Sequence, residues 1–247
     1  MKIVDRLTEI LDILSKYKEG LGIKEISTKL DLPLSTTHRL LKALEENELV
    51  SQEDLSKRYK IGIKILSMSS QLLNEMDIVN ISRPILEELS TKHKQLIFLS
   101  VLENKRSICV DMVNNSDGMK FYVRLGTFMP AHCSASGKAI VAFLKDNEIN
   151  EILKEQKRKK FTEKTIMKTD DIIEDLKNVK NLKYAVCDEE MEIGVRALAV
   201  PIFGRSGDIK ASITIMLMKQ FEFREDEILD DLKRASKKIS SMLGYIE

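Results

Sequence analysis

The sequence predicts an α+β fold in two parts: a helical amino-terminal region carrying a winged helix-turn-helix, and a longer α+β region with an antiparallel sheet. Three observations predict it. Residues 3–47 place apolar side chains at helical spacing, interrupted at Gly20 and Gly22 and at Asp31. Residues 96–218 hold short apolar runs separated by turn signals and bracketed by further helix-period stretches. The stretch LPLSTTHRLLKALEENELV, residues 32–50, carries small hydroxyls and cations on its outer face, where a solvated helix ordinarily mixes carboxylates with lysines.

The first helix spans Ile3 to Lys18, with Val4, Leu7, Leu11 and Leu14 on one side and Ile10 and Ile13 widening it. A second, Ile23–Leu30, turns Ile26 and Leu30 inward, and a tight turn begins at Asp31. In the third helix, Leu32–Asn47, Pro33 sits just ahead of the first turn and Ser35 is the expected N-cap. Thr37, Leu40, Leu41 and Leu44 form its buried stripe, which points Ser35, Thr36, His38, Arg39 and Lys42 outward. Short hydroxyls let a helix approach a duplex closely, and an arginine there reaches a guanine edge or a phosphate. The hydroxyl run also brings Thr37 among the candidate DNA contacts. Glu45, Glu46 and Glu48 fall at the far end, as insertion by the amino-terminal half requires. The alternative is an ordinary solvated face.

Leu49–Ser51 and Arg58–Ile61 read as two strands around the polar turn Gln52–Lys57, a wing. Lys57, Arg58, Tyr59 and Lys60 at its tip and return strand are the candidate backbone contacts, the cations suited to phosphate. Gly62 to about Met76 is a further helix whose Ile65, Leu66, Leu72, Leu73 and Met76 need a partner. The next, near Ile78–His93, is capped by Asp77 or Asn80, with Pro84 in its first turns.

The second region follows as strands at Leu96–Leu102, Arg106–Val113 and Phe121–Leu125, a loop at Pro130–Ser136, and helices at Gly137–Leu144 and Asn147–Gln156. The run Lys157–Lys160 reads as a solvated loop rather than a nucleic-acid patch. A helix at Thr169–Val179, a strand at Lys183–Cys187 and a hairpin of Leu198–Phe203 with Ile209–Met218 come next. The long amphipathic helix Arg224–Tyr245 closes the chain.

At 247 residues the chain has room for two domains. Its net charge of +1 confines any nucleic-acid surface to a local patch. Three cysteines without a CxxC pair suggest a reducing compartment and no disulfide framework. Asp5, Glu9 and Asp12 argue against a secretory signal, and no apolar run approaches the ~20 residues that span a bilayer. The expected location is the cytoplasm, away from membranes.

Three motifs carry a family resemblance: LPLSTTHRLLKALEENELV with RYKIG at the wing's return, RLGTFMPAHCSASGKAIVAFL at 124–144, and YAVCDEEMEIGVRALAVPIFGRSGDIKASITI at 184–215. In their order and spacing the chain resembles, along its whole length, the isocitrate lyase regulator (IclR) family of bacterial transcription factors. The resemblance implies a winged helix-turn-helix over residues 1–61, a linker helix over 62–77 and a GAF-like effector-binding domain over 78–247. It also implies a dimer, often paired into a tetramer, on double-stranded operator DNA. A small-molecule effector, frequently a carboxylate or an aromatic acid, switches such proteins, which include repressors and activators. No cofactor or metal is implied.

Carried over position by position, the family's effector site falls on Phe121, Met129, Ala135, Ser136, Cys187, Val195, Ala197, Thr214 and Met216. A helix N-terminus at Ala135–Gly137 suits a carboxylate, Ser136 and Thr214 add hydroxyls, and Phe121, Met129, Val195 and Met216 supply apolar walls. Lys138, one turn on, is either an anion partner or a structural cation. Cys187 stands where some relatives carry a carboxylate and Met216 where some carry a hydroxyl, so this pocket is less polar. Two other readings use the same residues. A thiol enzyme would need His132 to activate Cys133, but neighbours on an extended segment point apart. A metal or redox sensor would use His132, Cys133 and Cys187, with Cys109 a further ligand type, without the tight spacing such sites show. His93, at a helix end, reads as a favourable terminal cation.

Overall fold

The computed structural model describes residues 3–116 and 123–246. The chain forms two compact units, Met1–Glu75 and Met76–Glu247.

The first unit contains α1 (Ile3–Leu14), α2 (Ile23–Lys29), α3 (Leu34–Glu46), β1 (Val50–Gln52), β2 (Tyr59–Ile61) and α4 (Lys64–Glu75). Its core joins Ile10 and Leu14 of α1 to Ile26 of α2 and to Leu40, Leu41 and Leu44 of α3. The first helix stops at Leu14, short of Lys18, because the chain must turn back to meet the wing. Leu21 and Tyr59 exchange backbone hydrogen bonds of 3.0 and 2.8 Å. Gly20 makes that turn at φ +70°, and a Cβ there would lie 2.5 Å from the Tyr59 carbonyl oxygen. In α3 the N-cap is Pro33, whose carbonyl accepts from the Thr37 amide and hydroxyl. Ser35 therefore sits inside the first turn and is not the cap. The wing strands pair Val50 with Ile61 and Gln52 with Tyr59.

The second unit contains α5 (Asp77–His93), β3 (Leu96–Glu103), β4 (Arg106–Asn114), β5 (Phe128–Met129), α6 (Ala135–Val141), α7 (Asp146–Glu155), α8 (Thr169–Leu182), β6 (Ala185–Asp188), β7 (Val195–Phe203), β8 (Ile209–Met218) and α9 (Glu225–Met242). The strands form one antiparallel sheet, ordered β5-β4-β3-β8-β7-β6. Strand alternation divides the core into two layers. Leu96 and Phe98 face one side, packed with α6, α7 and α8 through Ala139, Ile152 and Ile172. Ile97, Leu99 and Val101 face the other, against Ile85 and Leu89 of α5 and Ile228 and Leu232 of α9. Burial on both faces explains why β3 and β8 carry consecutive apolar residues at Leu96–Leu99 and Ile215–Met218.

Three expectations change. Phe121 and Tyr122 of the expected Phe121–Leu125 strand lie outside the described residues, and 123–125 is not a strand. The edge strand forms after the turn at Gly126, where Cys109 bonds Thr127 and Gly126, and β5 then pairs with Ser107 and Ile108. Asp77 is the first residue of α5, whose cap is Met76. Helix α6 begins two residues earlier than expected, capped by Ser134, which places Ala135 and Ser136 in its first turn. Among the described residues no helix is long and apolar enough to cross a membrane.

Candidate nucleic-acid surface and ligand cavity

On α3, Ser35, His38, Arg39 and Lys42 are exposed and Thr36 is half-buried. Lys42 lies 3.9 Å from Glu46, a fully solvated pair that leaves its ammonium available. Thr37 is 0 % exposed and bonded to Pro33, so it leaves the set of candidate contacts: its methyl and hydroxyl complete the buried stripe.

The wing corrects two more. Tyr59, 6 % exposed, points into the unit's core beside Leu21 and cannot reach a duplex. Arg58 bonds the Glu19 and Gly20 carbonyls at 2.9–3.2 Å and pairs with Glu25 at 3.0 Å. The same Glu25 carboxylate accepts the Gly22 amide at 2.7 Å, which, with Arg58, lowers its pKa. Arg58 thus clamps the wing to the start of α2. Lys60 pairs with Glu53 at 3.2 Å, while Lys57 at the tip is exposed with no ion pair among the described residues. Arg58→Ala is expected to cost about 1.5–3 kcal/mol of stability, the worth of hydrogen bonds to a charged group. It should not change the salt dependence of DNA binding. Lys57→Ala should do the reverse, reducing the salt slope by about one. Thermal denaturation and DNA titrations at two salt concentrations separate the two.

In the second unit, Met129, Ala135, Ser136, Cys187, Val195, Ala197, Thr214 and Met216 line a single cavity of about 530 Å³. Phe121 lies outside the described residues. The cavity lies between the α6 face of the sheet and the first turn of α6. Phe98, Val123, Phe161 and Met191 extend its apolar walls, and Lys159 and Glu192 also border it. Within these walls the Ser136 and Thr214 hydroxyls, each 1 % exposed, have no hydrogen-bond partner among the described residues. Buried hydroxyls without a protein partner are costly, and water or a ligand ordinarily satisfies them. The Ala135 and Ser136 amides belong to the first turn of α6, ahead of the intrahelical ladder. Gly137 lets that turn sit on the wall: a Cβ there would lie 2.7 Å from the Met129 carbonyl oxygen and 2.9 Å from that of Pro130.

Lys138 is not a free anion partner. It is 1 % exposed, with Nζ 2.6 Å from Glu190 and 2.8 Å from Asp175. Burial pulls its pKa down, but the two carboxylates outweigh it and hold the ammonium charged. His132 is buried with Nε2 3.1 Å from the Lys159 carbonyl. A carbonyl only accepts, so Nε2 carries the proton and Nδ1 is bare. Burial lowers its pKa and keeps the ring neutral. Burial also pushes the Cys109 thiol up to about 12, Cys187 up to about 11, and Cys133 higher still. Thiols so protonated are poor nucleophiles. Among the described residues no three of His, Cys, Asp and Glu converge to hold a metal ion.

Phe98, Phe161, Met191 and Glu192 are among the wall residues that sequence reasoning missed. Phe98 follows from strand alternation, since it shares a face with Leu96; the other three lie in loops without periodicity.

Comparison with known proteins matches both units to one family. Residues 3–54 match the IclR helix-turn-helix domain, and residues 70–241 match the bacterial transcriptional regulator IclR C-terminal domain. An uncharacterized HTH-type transcriptional regulator of Haemophilus influenzae is 31% identical over 242 residues, covering 96% of this chain and 90% of the relative. The HTH-type transcriptional regulator KdgR of Escherichia coli is 29% identical over 238 residues, with the same coverage. The crystal structure of the Thermotoga maritima IclR superposes with a TM-score of 0.78 at 29% identity, covering 98% of both chains.

Proposed function

The chain belongs to the IclR family of bacterial transcriptional regulators, and from that premise we propose that it is a DNA-binding regulator whose cavity takes a small carboxylate effector. Ser35, Thr36, His38, Arg39 and Lys42 of α3 read the major groove, and Lys57 and Lys60 of the wing contact phosphate. The relatives are regulators, not enzymes, and the protonated thiols fit that reading.

The observation that carries the effector reading is the pair of unpartnered hydroxyls of Ser136 and Thr214 in an otherwise apolar cavity. A carboxylate accepts from both and from the first-turn amides of α6, while its body lies on Phe98, Met129, Val195 and Met216. Lys138 is committed to Glu190 and Asp175, so recognition uses neutral donors. A cavity of about 530 Å³ accommodates a compact acid.

The operator is bound by two copies, because one recognition helix reads too few base pairs for specificity. Helix α4 and the residue ahead of it support this, leaving Ile63, Leu66, Met68 and Leu72 exposed. Pairing of two dimers and a cytoplasmic location belong to the same reading.

A thermal-shift panel of carboxylic acids, each beside its methyl ester, tests the effector class. An acid at one hundred times its Kd stabilises by about 2.7 kcal/mol, a rise of several degrees. The ester should give little. Equal shifts from acid and ester would remove the carboxylate.

A further inference from the structure

We propose that Lys138 and Glu190 are positioning residues for the cavity: their ion pair holds the 189–194 loop in place as the cavity's outer wall, so ligand retention depends on a pair that need not touch the ligand. The proposal rests on the reading of the cavity as an effector site.

Glu190 is 7 % exposed, and the two residues after it, Met191 and Glu192, line the cavity. The loop turns at Glu189 through a left-handed φ of +62°. Its neck closes where the Gly194 amide donates to the Glu189 carboxylate at 2.9 Å. A second rim segment, which carries Phe161, is fastened to it. The Thr162 hydroxyl donates to the Glu189 carbonyl and the Thr165 hydroxyl to the Glu190 carbonyl, each at 2.6 Å. That segment is held in turn by the His132 bond to Lys159. Both rim segments therefore meet at Glu190, and Glu190 is tied through Lys138 to α6, two residues beyond Ser136.

Energetics favour positioning over bulk stability. Desolvating an ammonium and a carboxylate offsets most of their attraction, and apolar side chains of similar volume often fill such a site as well or better. What an apolar pair does not supply is a fixed direction. The 2.6 Å bond sets the loop's register against α6, and with it the distance from Met191 to the Ser136 hydroxyl across the cavity.

Cys187 reports on the wall without a ligand. It is the penultimate residue of β6, just ahead of the loop, lines the cavity and is buried, whereas Cys109 is buried in β4 away from the lining. The experiment is modification of the whole chain by methyl methanethiosulfonate, with each cysteine followed by mass spectrometry, in wild type and Lys138→Met. Removing the Lys138 charge by itself raises the Cys187 pKa and slows the reaction, because the ammonium favours the thiolate. An acceleration therefore reports access. The expected result is a rise of about tenfold or more at Cys187 with Cys109 unchanged, as for local opening of one segment. An unchanged or slower Cys187, or a parallel rise at Cys109, overturns the proposal. Should Lys138→Met fail to fold, Lys138→Gln removes the same ion pair with a polar side chain, and the same selective rise is required of it. The rate needs no effector, so its failure is distinct from failure of the carboxylate screen.

Discussion

Arg39→Ala is expected to weaken binding to the specific operator by about 1–3 kcal/mol per half-site, the worth of one good bidentate base contact. That is roughly five- to 150-fold for one copy, and more for a dimer that loses two. Arg39 is exposed on α3 and has no ion pair among the described residues, so its guanidinium is not already engaged within the unit. The short side chains of Ser35 and Thr36, one turn earlier, let the helix backbone approach the groove floor. Leu40, Leu41 and Leu44 hold the opposite face rigidly in the core. Fold stability should be unchanged, because the side chain packs outside that core. Fluorescence anisotropy on a duplex selected by the protein from random DNA, beside an unrelated duplex, reads the effect. An equal loss on both would make Arg39 a phosphate contact, and no loss on either would remove α3 from the groove.

Ser136→Leu is expected to abolish the response to the effector while leaving DNA binding intact. The substitution removes one buried hydroxyl and drives an isobutyl group over the first-turn amides of α6. Hydrogen bonds to a charged group contribute about 1.5–3 kcal/mol each, so losing two of them lowers affinity by roughly two orders of magnitude or more. The thermal midpoint without acid reports whether the buried Ser136 site takes the larger side chain. Thr214→Val, which deletes one hydroxyl without adding bulk, should give a milder loss of about tenfold. Both are read as the change in thermal midpoint with the acid that stabilises wild type. A full response in Ser136→Leu would place the effector elsewhere.

Much of the fold was legible because helical and strand periods report burial directly. The α3 stripe and the bounds of β8 fall where the spacing places them. Thr37 shows the limit: the hydroxyl run and the buried stripe both claimed it, and the stripe won because position along a helix, not residue type, decides which way a side chain points. The packing of Arg58 and Tyr59 is hidden from the sequence for another reason. Their surroundings are set by a backbone bridge to Leu21, 38 residues earlier, which no local pattern reveals. Lys138 was left open because its partners, Asp175 and Glu190, come from a distant helix and loop. Family resemblance brought the cavity positions of the strands and of α6 together, whereas Phe161 and Met191 lie on loops whose path the sequence does not encode by any period.

Occupation of the Ser136 cavity is expected to alter what α3 can bind. Operator affinity measured with and without the stabilising acid, on wild type and on Ser136→Leu, reads that coupling. The expected change is about five- to 150-fold in wild type, the usual range of coupling between sites, and none in the variant. An acid that raises the wild-type thermal midpoint yet leaves operator affinity untouched would contradict it.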